Sequence, residues 1–394
     1  MLSKIKFPLM RNNILKTDID KLISFLKKNN ILTQNKEVFK FEKIWSKWLG
    51  VKYSIFVNSG SSANLLSIQL LKLKYPKGGE VIVPPLTWSS DVSSLIHCGF
   101  KPVFADIDLG TMGMNTDQII SKITKNTRAI FLSYIQGFNC LTDKLLQHLK
   151  KKKIYLIEDV CESHGAKFKN KKLGSYGWTS NFSFYYAHHM STIEGGMICT
   201  NDKKAYYDLR MLRSHGMIRE VNDSKFQNFM KKKYSDLNSK FIFYHPAYNV
   251  RNTEIGAILG QSQIKRLDSN IKKRNLNLLY FLDKLDKNNY FVDFNTEGQS
   301  NYAFNIILKN KDKNFMNNLI KKLDKHRIEY RIGSAGGGNQ LRQPYLKKYY
   351  PKMKAKVFKN TEHIHFYAMY IGNYPELKKK HLDFIINILN SVKK

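Results

Sequence analysis

From Ser183 to Gly196 the chain reads Ser-Phe-Tyr-Tyr-Ala-His-His-Met-Ser-Thr-Ile-Glu-Gly-Gly. Two adjacent histidines and a glutamate suggest a metal. However, neighbours on a strand point to opposite faces, and the spacing is not His-Glu-x-x-His. No metal is expected, and the better reading is one acid–base group, His188. A second cluster is Asp159, which closes the apolar run Ile154–Ile157, with Glu158 and Glu162 beside it. Open α/β sheets bind ligands at the carboxyl ends of their strands, so a carboxylate there can keep a pyridine nitrogen protonated; it can equally be a capping residue. Asn58-Ser59-Gly60-Ser61-Ser62 lies between a strand and a helix. Small residues at Gly60 and Ser61 let backbone N–H groups approach an anion, which makes a phosphate cup or an ordinary N-cap turn. Trp88, just past Pro84-Pro85, is an aromatic at a strand end, able to stack on a flat ring or to pack in a core.

The elements that must position these groups alternate. Short apolar or β-branched runs are expected as strands at Tyr53–Val57, Glu80–Pro84, Pro102–Asp106, Ala129–Tyr134, Ile154–Asp159, Asn181–Tyr186 and Gly196–Thr200. Helical patterns fall between several of them, for example at Ala63–Leu73, Ser89–Cys98 and Thr142–Lys151. The strands read as continuous apolar runs, as in a sheet covered on both faces. The fold class is therefore α/β with a mainly parallel sheet. A long helix from about Thr253 to Leu285 leads into a smaller α+β part with a Gly-rich loop, Ser334-Ala335-Gly336-Gly337-Gly338-Asn339. The expected division is a large domain over 1–252, N-terminal segment included, and a small domain over 253–394.

Length and composition narrow the class. The chain has 394 residues, 42% of them hydrophobic, enough for a globular enzyme of this size. Its net charge of +35 raises the alternative of a basic nucleic-acid-binding protein on a degenerate enzyme fold. The lysines are scattered in short runs such as Lys150–Lys153, without a recognition signature, so no nucleic-acid partner is expected. Four dispersed cysteines, Cys98, Cys140, Cys161 and Cys199, argue against a disulfide framework and a clustered metal motif. With no secretory signal and no long apolar run, the expectation is a cytoplasmic chain without membrane contact.

Taken together, these motifs resemble the DegT/DnrJ/EryC1/StrS sugar aminotransferases, a family of fold-type I pyridoxal-phosphate enzymes. Asn58-Ser59-Gly60-Ser61-Ser62-Ala63 is similar to the family's phosphate turn, and Pro84-Pro85-Leu86-Thr87-Trp88 to the segment carrying its ring-stacking aromatic. Glu158-Asp159-Val160-Cys161-Glu162-Ser163-His164-Gly165-Ala166 resembles Glu-Asp-x-x-Gln-x-His-Gly-Ala, whose Asp pairs with the pyridine nitrogen. Tyr248-Asn249-Val250-Arg251-Asn252-Thr253-Glu254 resembles the stretch whose Asn reaches the phosphate in the partner subunit, which implies a homodimer with shared sites. The resemblance thus implies an aspartate aminotransferase-like large domain and a cofactor, pyridoxal or pyridoxamine 5′-phosphate, held by Gly60, Ser61, Trp88, Asp159, Glu162, Ser183 and Asn249.

Two departures change the expected reaction. The family's aminotransferases carry a cofactor-tethering lysine where this chain has His188, and no lysine lies between Ser183 and Gly196. Glu162 stands where they usually carry Gln. Both departures resemble the family's 3-dehydratases of dideoxysugar pathways, of the colitose type. They imply loss of the C-3 hydroxyl from a nucleotide-linked 4-keto-6-deoxyhexose, with GDP the preferred nucleotide and glutamate the amino donor. His188 is the implied base and then acid; a nucleotide-sugar aminotransferase is the alternative. A related CDP-sugar dehydrase also has His here but carries an iron–sulfur cluster on closely spaced cysteines. The dispersed cysteines argue against that cluster and its reductase. Asn339 and Arg342, at the Gly-rich loop, are candidate nucleotide contacts, and His215 a candidate for the substrate pocket.

Overall fold

The computed structural model describes residues 5–393. The strands of the first two-thirds are β1 (Tyr53–Val57), β2 (Glu80–Val83), β3 (Lys101–Phe104), β4 (Thr127–Ser133) and β5 (Tyr155–Asp159), then a short hairpin of β6 (Lys167–Phe168) and β7 (Lys171–Lys172), then β8 (Thr179–Ser183) and β9 (Gly196–Thr200). Seven of them form one sheet in the order β1-β9-β8-β5-β4-β2-β3. Only β9 runs against its neighbours; the other pairings are parallel. Reversal of β9 brings its start, Gly196, beside Ser183, and so closes the segment between them into a loop at the carboxyl edge of the sheet.

Apolar runs explain most of these strands, since β2, β4 and β5 are buried almost throughout. Strand β8 is different. Its sequence is Thr-Ser-Asn-Phe-Ser, yet every residue is buried. Two of its polar side chains find local partners: Ser67 Oγ donates to Asn181 Oδ1 at 2.7 Å, and Ser180 Oγ to the Gly174 carbonyl at 2.6 Å. The helix Gly60–Lys74 therefore meets the sheet along a polar seam of Asn64 and Ser67, directly beneath the site.

The C-terminal part holds a three-stranded antiparallel sheet of β10 (Ala303–Ile307), β11 (Tyr330–Ile332) and β12 (Ala368–Gly372), with β12 central. The expected boundary at 252/253 coincides with the start of the helix Glu254–Lys284, capped by Thr253, but not with a break between cores. The helix's first half packs Ala257, Ile264 and Leu267 against the large core, and its second half packs Leu278 and Phe281 against the C-terminal one. The N-terminal segment also departs from expectation. Phe7 and Met10 belong to the C-terminal core, Phe7 bridges to Ile328, and its ring stacks on Phe384 at 5.6 Å. An aromatic beside the small sheet's edge finds more apolar surface there than on the already covered large sheet. Among the described residues no helix is long and apolar enough to cross a membrane.

Candidate active site

The site begins where the Gly60–Lys74 helix points its N-terminus at the end of β8. Ser59 caps that helix, its Oγ accepting from Ser62 N at 3.0 Å, while Ser62 Oγ donates to Asn58 Oδ1 at 2.6 Å. Capping leaves the first-turn amides of Gly60 and Ser61 without intrahelical partners. A Cβ at Gly60 would lie 2.6 Å from Ser183 Cβ and 3.1 Å from Cys161 Sγ. Only glycine allows that approach, which places Gly60, Ser61 and the Ser183 hydroxyl around one small concavity. Aligned N–H groups, a helix dipole and hydroxyls make it a site for a phosphate dianion.

Asp159 ends β5 in register with Ser133 and Asn181 on the flanking strands. Its Oδ1 accepts from Cys161 N at 2.8 Å and its Oδ2 from Asn64 Nδ2 at 3.0 Å. The carboxylate is thus fixed at the floor of the cleft. Trp88 caps the helix Ser89–His97 at the rim and is 56% exposed, a large apolar surface left uncovered.

His188 does not lie on a strand. Regular pairing ends at Ser183, and residues 184–195 form a loop closed by Phe184 N to the Gly195 carbonyl at 2.8 Å and Thr192 N to the Phe184 carbonyl at 2.9 Å. A turn in which His188 N donates to the Tyr185 carbonyl at 3.0 Å orients the imidazole. The expectation that His188 and His189 point to opposite faces is therefore corrected, because it assumed strand geometry. Both rings converge on His164, at 6.0 and 5.4 Å between centroids, and both lie against Tyr302. His189 is anchored by Ser300, its Nε2 lying 3.2 Å from both the carbonyl and the hydroxyl oxygen. His188 Nδ1 is buried without a partner, while the residue as a whole is half-buried. Burial, assisted by the Arg274 guanidinium, pushes its imidazole down to about 3. Near neutral pH the His188 imidazole is therefore neutral. Among the described residues no three His, Cys, Asp or Glu side chains converge as a metal-binding group.

Glu162 lies on the same side. Its Oε2 accepts from Gln136 N at 2.9 Å, and burial pushes its carboxyl up to about 7 against that hydrogen bond, with Asp159 adding to the rise. Gln136 in turn donates through Nε2 to the Ser334 carbonyl at 2.6 Å, which ties Glu162 to the Gly-rich loop. That loop packs on the Trp88 segment: Gln340 N donates to the Pro85 carbonyl at 2.8 Å, and a Cβ at Gly336 would meet the Thr87 carbonyl oxygen at 2.1 Å.

The remaining expected residues are placed less centrally. Asn339 is fully buried and its amide is committed to Glu362 Oε1 (2.8 Å) and Leu341 N (3.0 Å). Arg342 forks the same carboxylate, with Nε at 2.8 Å from Oε1 and Nη2 bonded to Oε2, and stacks on Phe366. These bonds brace the loop, so Asn339 has no free donor for a nucleotide. Asn249 and His215 are exposed neighbours on one strip, joined by the Ser214–Asn249 bridge and the 2.6 Å bond from His215 N to the Tyr248 carbonyl. The strip runs beside the phosphate turn, where Asn58 N donates to the Val250 carbonyl at 3.0 Å.

Sequence reasoning missed Asp91, Asn64 and Arg274. Asp91 and Asn64 sit on helices in Ser-rich stretches that read as amphipathic surface, although an Asp at N3 of a helix is a weak signal. Arg274 lies in a lysine-rich helix of ordinary charge pattern, and only tertiary packing buries it under the carbonyls of Tyr302 (2.8 Å) and Asn373 (2.5 Å).

A doubly wound sheet with an anion cup at a helix N-terminus, a fixed carboxylate at the adjacent strand end and an aromatic rim defines the fold-type I aminotransferase-like class. The chain belongs to the DegT/DnrJ/EryC1/StrS aminotransferase family, whose model matches residues 12–390. It is 33% identical over 368 residues to GDP-4-keto-6-deoxy-D-mannose 3-dehydratase of Yersinia pseudotuberculosis, with 92% of each chain covered. It is 32% identical over 375 residues to the enzyme of that name from Escherichia coli O55:H7, covering 94% of this chain and 96% of the relative. Among solved structures, the E. coli GDP-4-keto-6-deoxy-D-mannose-3-dehydratase with bound hydrated PLP superposes with a TM-score of 0.89 at 30% identity, covering 98% of this chain and 100% of that one. A structure of GDP-4-keto-6-deoxymannose-3-dehydratase with a trapped PLP-glutamate geminal diamine superposes at 0.87 and 30% identity, again covering 98% and 100%.

Proposed function

We propose that this chain is a pyridoxal-phosphate-dependent 3-dehydratase. It removes the C-3 hydroxyl of a nucleotide-linked 4-keto-6-deoxyhexose, GDP-4-keto-6-deoxy-D-mannose being the best candidate, with glutamate as amino donor. The carrying observation is His188: a neutral imidazole occupies the loop position where the family's aminotransferases hold a lysine, and no lysine stands between Ser183 and Gly196. The names of the 3-dehydratase relatives, matched over nearly the whole chain, support the same reading.

The site residues fit the cofactor. The cradle that a Gly60 Cβ would fill suits its phosphate, Asp159 suits its pyridine nitrogen, and the exposed face of Trp88 suits its ring. When bound, the protonated pyridine ring supplies an electron sink for elimination. Without a tethering amine, the chain retains the cofactor by these contacts alone. His188 accepts a proton at Nε2 and delivers it to the departing C-3 oxygen, acting as base and then acid. An imidazole cannot attack as a primary amine does, so the nitrogen leaves as ammonia and the product is a 3-deoxy-4-keto sugar. Glu162, at the cleft beside Asp159, provides a carboxyl that switches charge near neutrality.

The active unit on this reading is a homodimer in the cytoplasm. Asn249 from one copy completes the phosphate site of the other. The exposed aromatics Phe243 and Tyr248 beside it, with Tyr185 and Ile193 on the His188 loop, supply apolar surface for the second copy.

Mass spectrometry of products from GDP-, CDP- and dTDP-linked 4-keto-6-deoxyhexoses, supplied with glutamate and cofactor, tests the function. The expected product has lost one oxygen and retained no nitrogen. An aminated sugar overturns the dehydratase reading in favour of an aminotransferase.

A further inference from the structure

The floor of the cleft contains a second carboxyl. Asp91 is fully buried in the first turn of the Ser89–His97 helix, three residues after Trp88. Its Oδ2 accepts from Ser133 Oγ at 2.6 Å and from Thr87 Oγ1, and its Oδ1 accepts from Asn64 Nδ2 at 2.7 Å. The same Asn64 nitrogen donates to Asp159 Oδ2 at 3.0 Å, so one amide clamps both carboxyls. Ser133 and Asp159 are paired residues on adjacent strands, which sets the sheet itself as the template for this cluster.

Two facing carboxylates in a buried site do not both ionise, because each raises the cost of charging the other. Burial, and then the facing Asp159, push Asp91 far above the ordinary carboxylate range. Asp91 is fully sealed, whereas Asp159 keeps 7% exposure and holds the backbone N–H of Cys161. An additional buried anion would need a cation, while a neutral acid accepts the hydrogen bonds that Thr87, Ser133 and Asn64 supply and donates its own proton to the facing Asp159.

We propose that Asp91 is a positioning residue: a protonated carboxylic acid that, with Asn64, locks the Asp159 carboxylate in line with the cofactor's pyridine nitrogen. Through Thr87 it also connects that lock to the Trp88 rim, so the two contacts made to the ring, at its edge and on its face, are set by one buried cluster. This inference rests on the cofactor reading above and adds to it the group that orients the ring.

The test measures the dissociation constant of pyridoxal 5′-phosphate by fluorescence titration of the apoprotein, and the ¹⁵N shift of the bound pyridine nitrogen using labelled cofactor. D91N keeps the shape, and its amide replaces the acid's donor, so binding within about threefold of the parent and an unchanged ¹⁵N shift are expected. D91A removes the lock, and at least tenfold weaker binding with a shift towards the unprotonated nitrogen is expected. N64L removes the shared amide while leaving Asp91 in place, and the same loss is expected, which keeps the test open if D91A folds poorly. Parent-like binding and ¹⁵N shift in D91A or N64L overturn the proposal. So does a D91N loss as large as that of D91A, since it means that Asp91 acts as a second anion. No binding of the cofactor by the parent protein would overturn the cofactor reading instead, which distinguishes the two failures.

Discussion

Replacing Glu162 by Gln gives a pH signature that the apoprotein alone reports. In the folded chain the Glu162 carboxyl is raised from 4.5 to about 7, chiefly by burial. Between those values the native state holds a proton that the unfolded chain has released, so stability falls as pH rises. The contribution is complete below about 4.5 and is lost as pH passes 7. One unit corresponds to about 1.4 kcal/mol, so the full shift would correspond to roughly 3 kcal/mol; water reaching the half-buried carboxyl reduces this to about 2 kcal/mol. Gln keeps the size and the carbonyl acceptor for Gln136 N, and it does not titrate. Urea unfolding of the parent and E162Q apoproteins at pH 5 and pH 8 is the assay. The parent is expected to lose about 2 kcal/mol relative to E162Q on going from pH 5 to pH 8. An equal difference at both pH values would show that Glu162 titrates as an ordinary surface carboxyl and would refute the reasoning.

Three further outcomes follow from the geometry. H188N is expected to abolish elimination while leaving the cofactor's dissociation constant within about threefold, and the parent's His188 ring resonance in apoprotein NMR is expected not to titrate between pH 5 and pH 8, because burial holds the imidazole neutral. G60A places a methyl 2.6 Å from Ser183 Cβ and must open the cup by about 1 Å, so cofactor binding should weaken at least tenfold with a stability cost of about 1–3 kcal/mol, and the S183G second-site change, which removes the clashing Cβ together with a cup hydroxyl, should recover part of the stability in unfolding but not the binding. R213M leaves buried Glu42 with the Phe56 N–H at 2.8 Å and, as its one remaining cation contact, Arg210 at 3.5 Å in place of the 2.6 Å bond, which should cost about 3 kcal/mol in urea unfolding, and E42Q/R213M should cost less than R213M alone.

His188 works through the company it keeps. Stacked beside His164 and Tyr302, with Arg274 buried nearby, it sits where a charged imidazolium is disfavoured from several sides. That environment suits a base that receives a proton only transiently and passes it on. A lysine in the same surroundings would also be driven towards its neutral, nucleophilic form. The surroundings are thus compatible with either chemistry, and on the proposed reading the residue at position 188 selects between them.

The sequence by itself determined the alternation of elements and marked the Gly60 turn, Asp159 and His188 as candidates. Apolar runs of the β2, β4 and β5 kind, a Ser-Gly-Ser turn and a missing lysine are local signals, readable without distant contacts. What only the tertiary structure decided depends on residues remote in sequence. Strand β8 reads as polar and becomes buried because the Gly60–Lys74 helix supplies partners for Asn181. The N-terminal segment joins the C-terminal core because Phe7 finds Phe384. His188 and His189 turn to one side because strand pairing stops at Ser183. Asn339 and Arg342, promising in the sequence, are drawn to Glu362. Asp91, unremarked in a serine-rich helix, ends beside Asp159 because a single amide from Asn64 reaches both. In each case burial of a polar or aromatic group had to be matched by a partner, and only the folded chain settles which one is within reach.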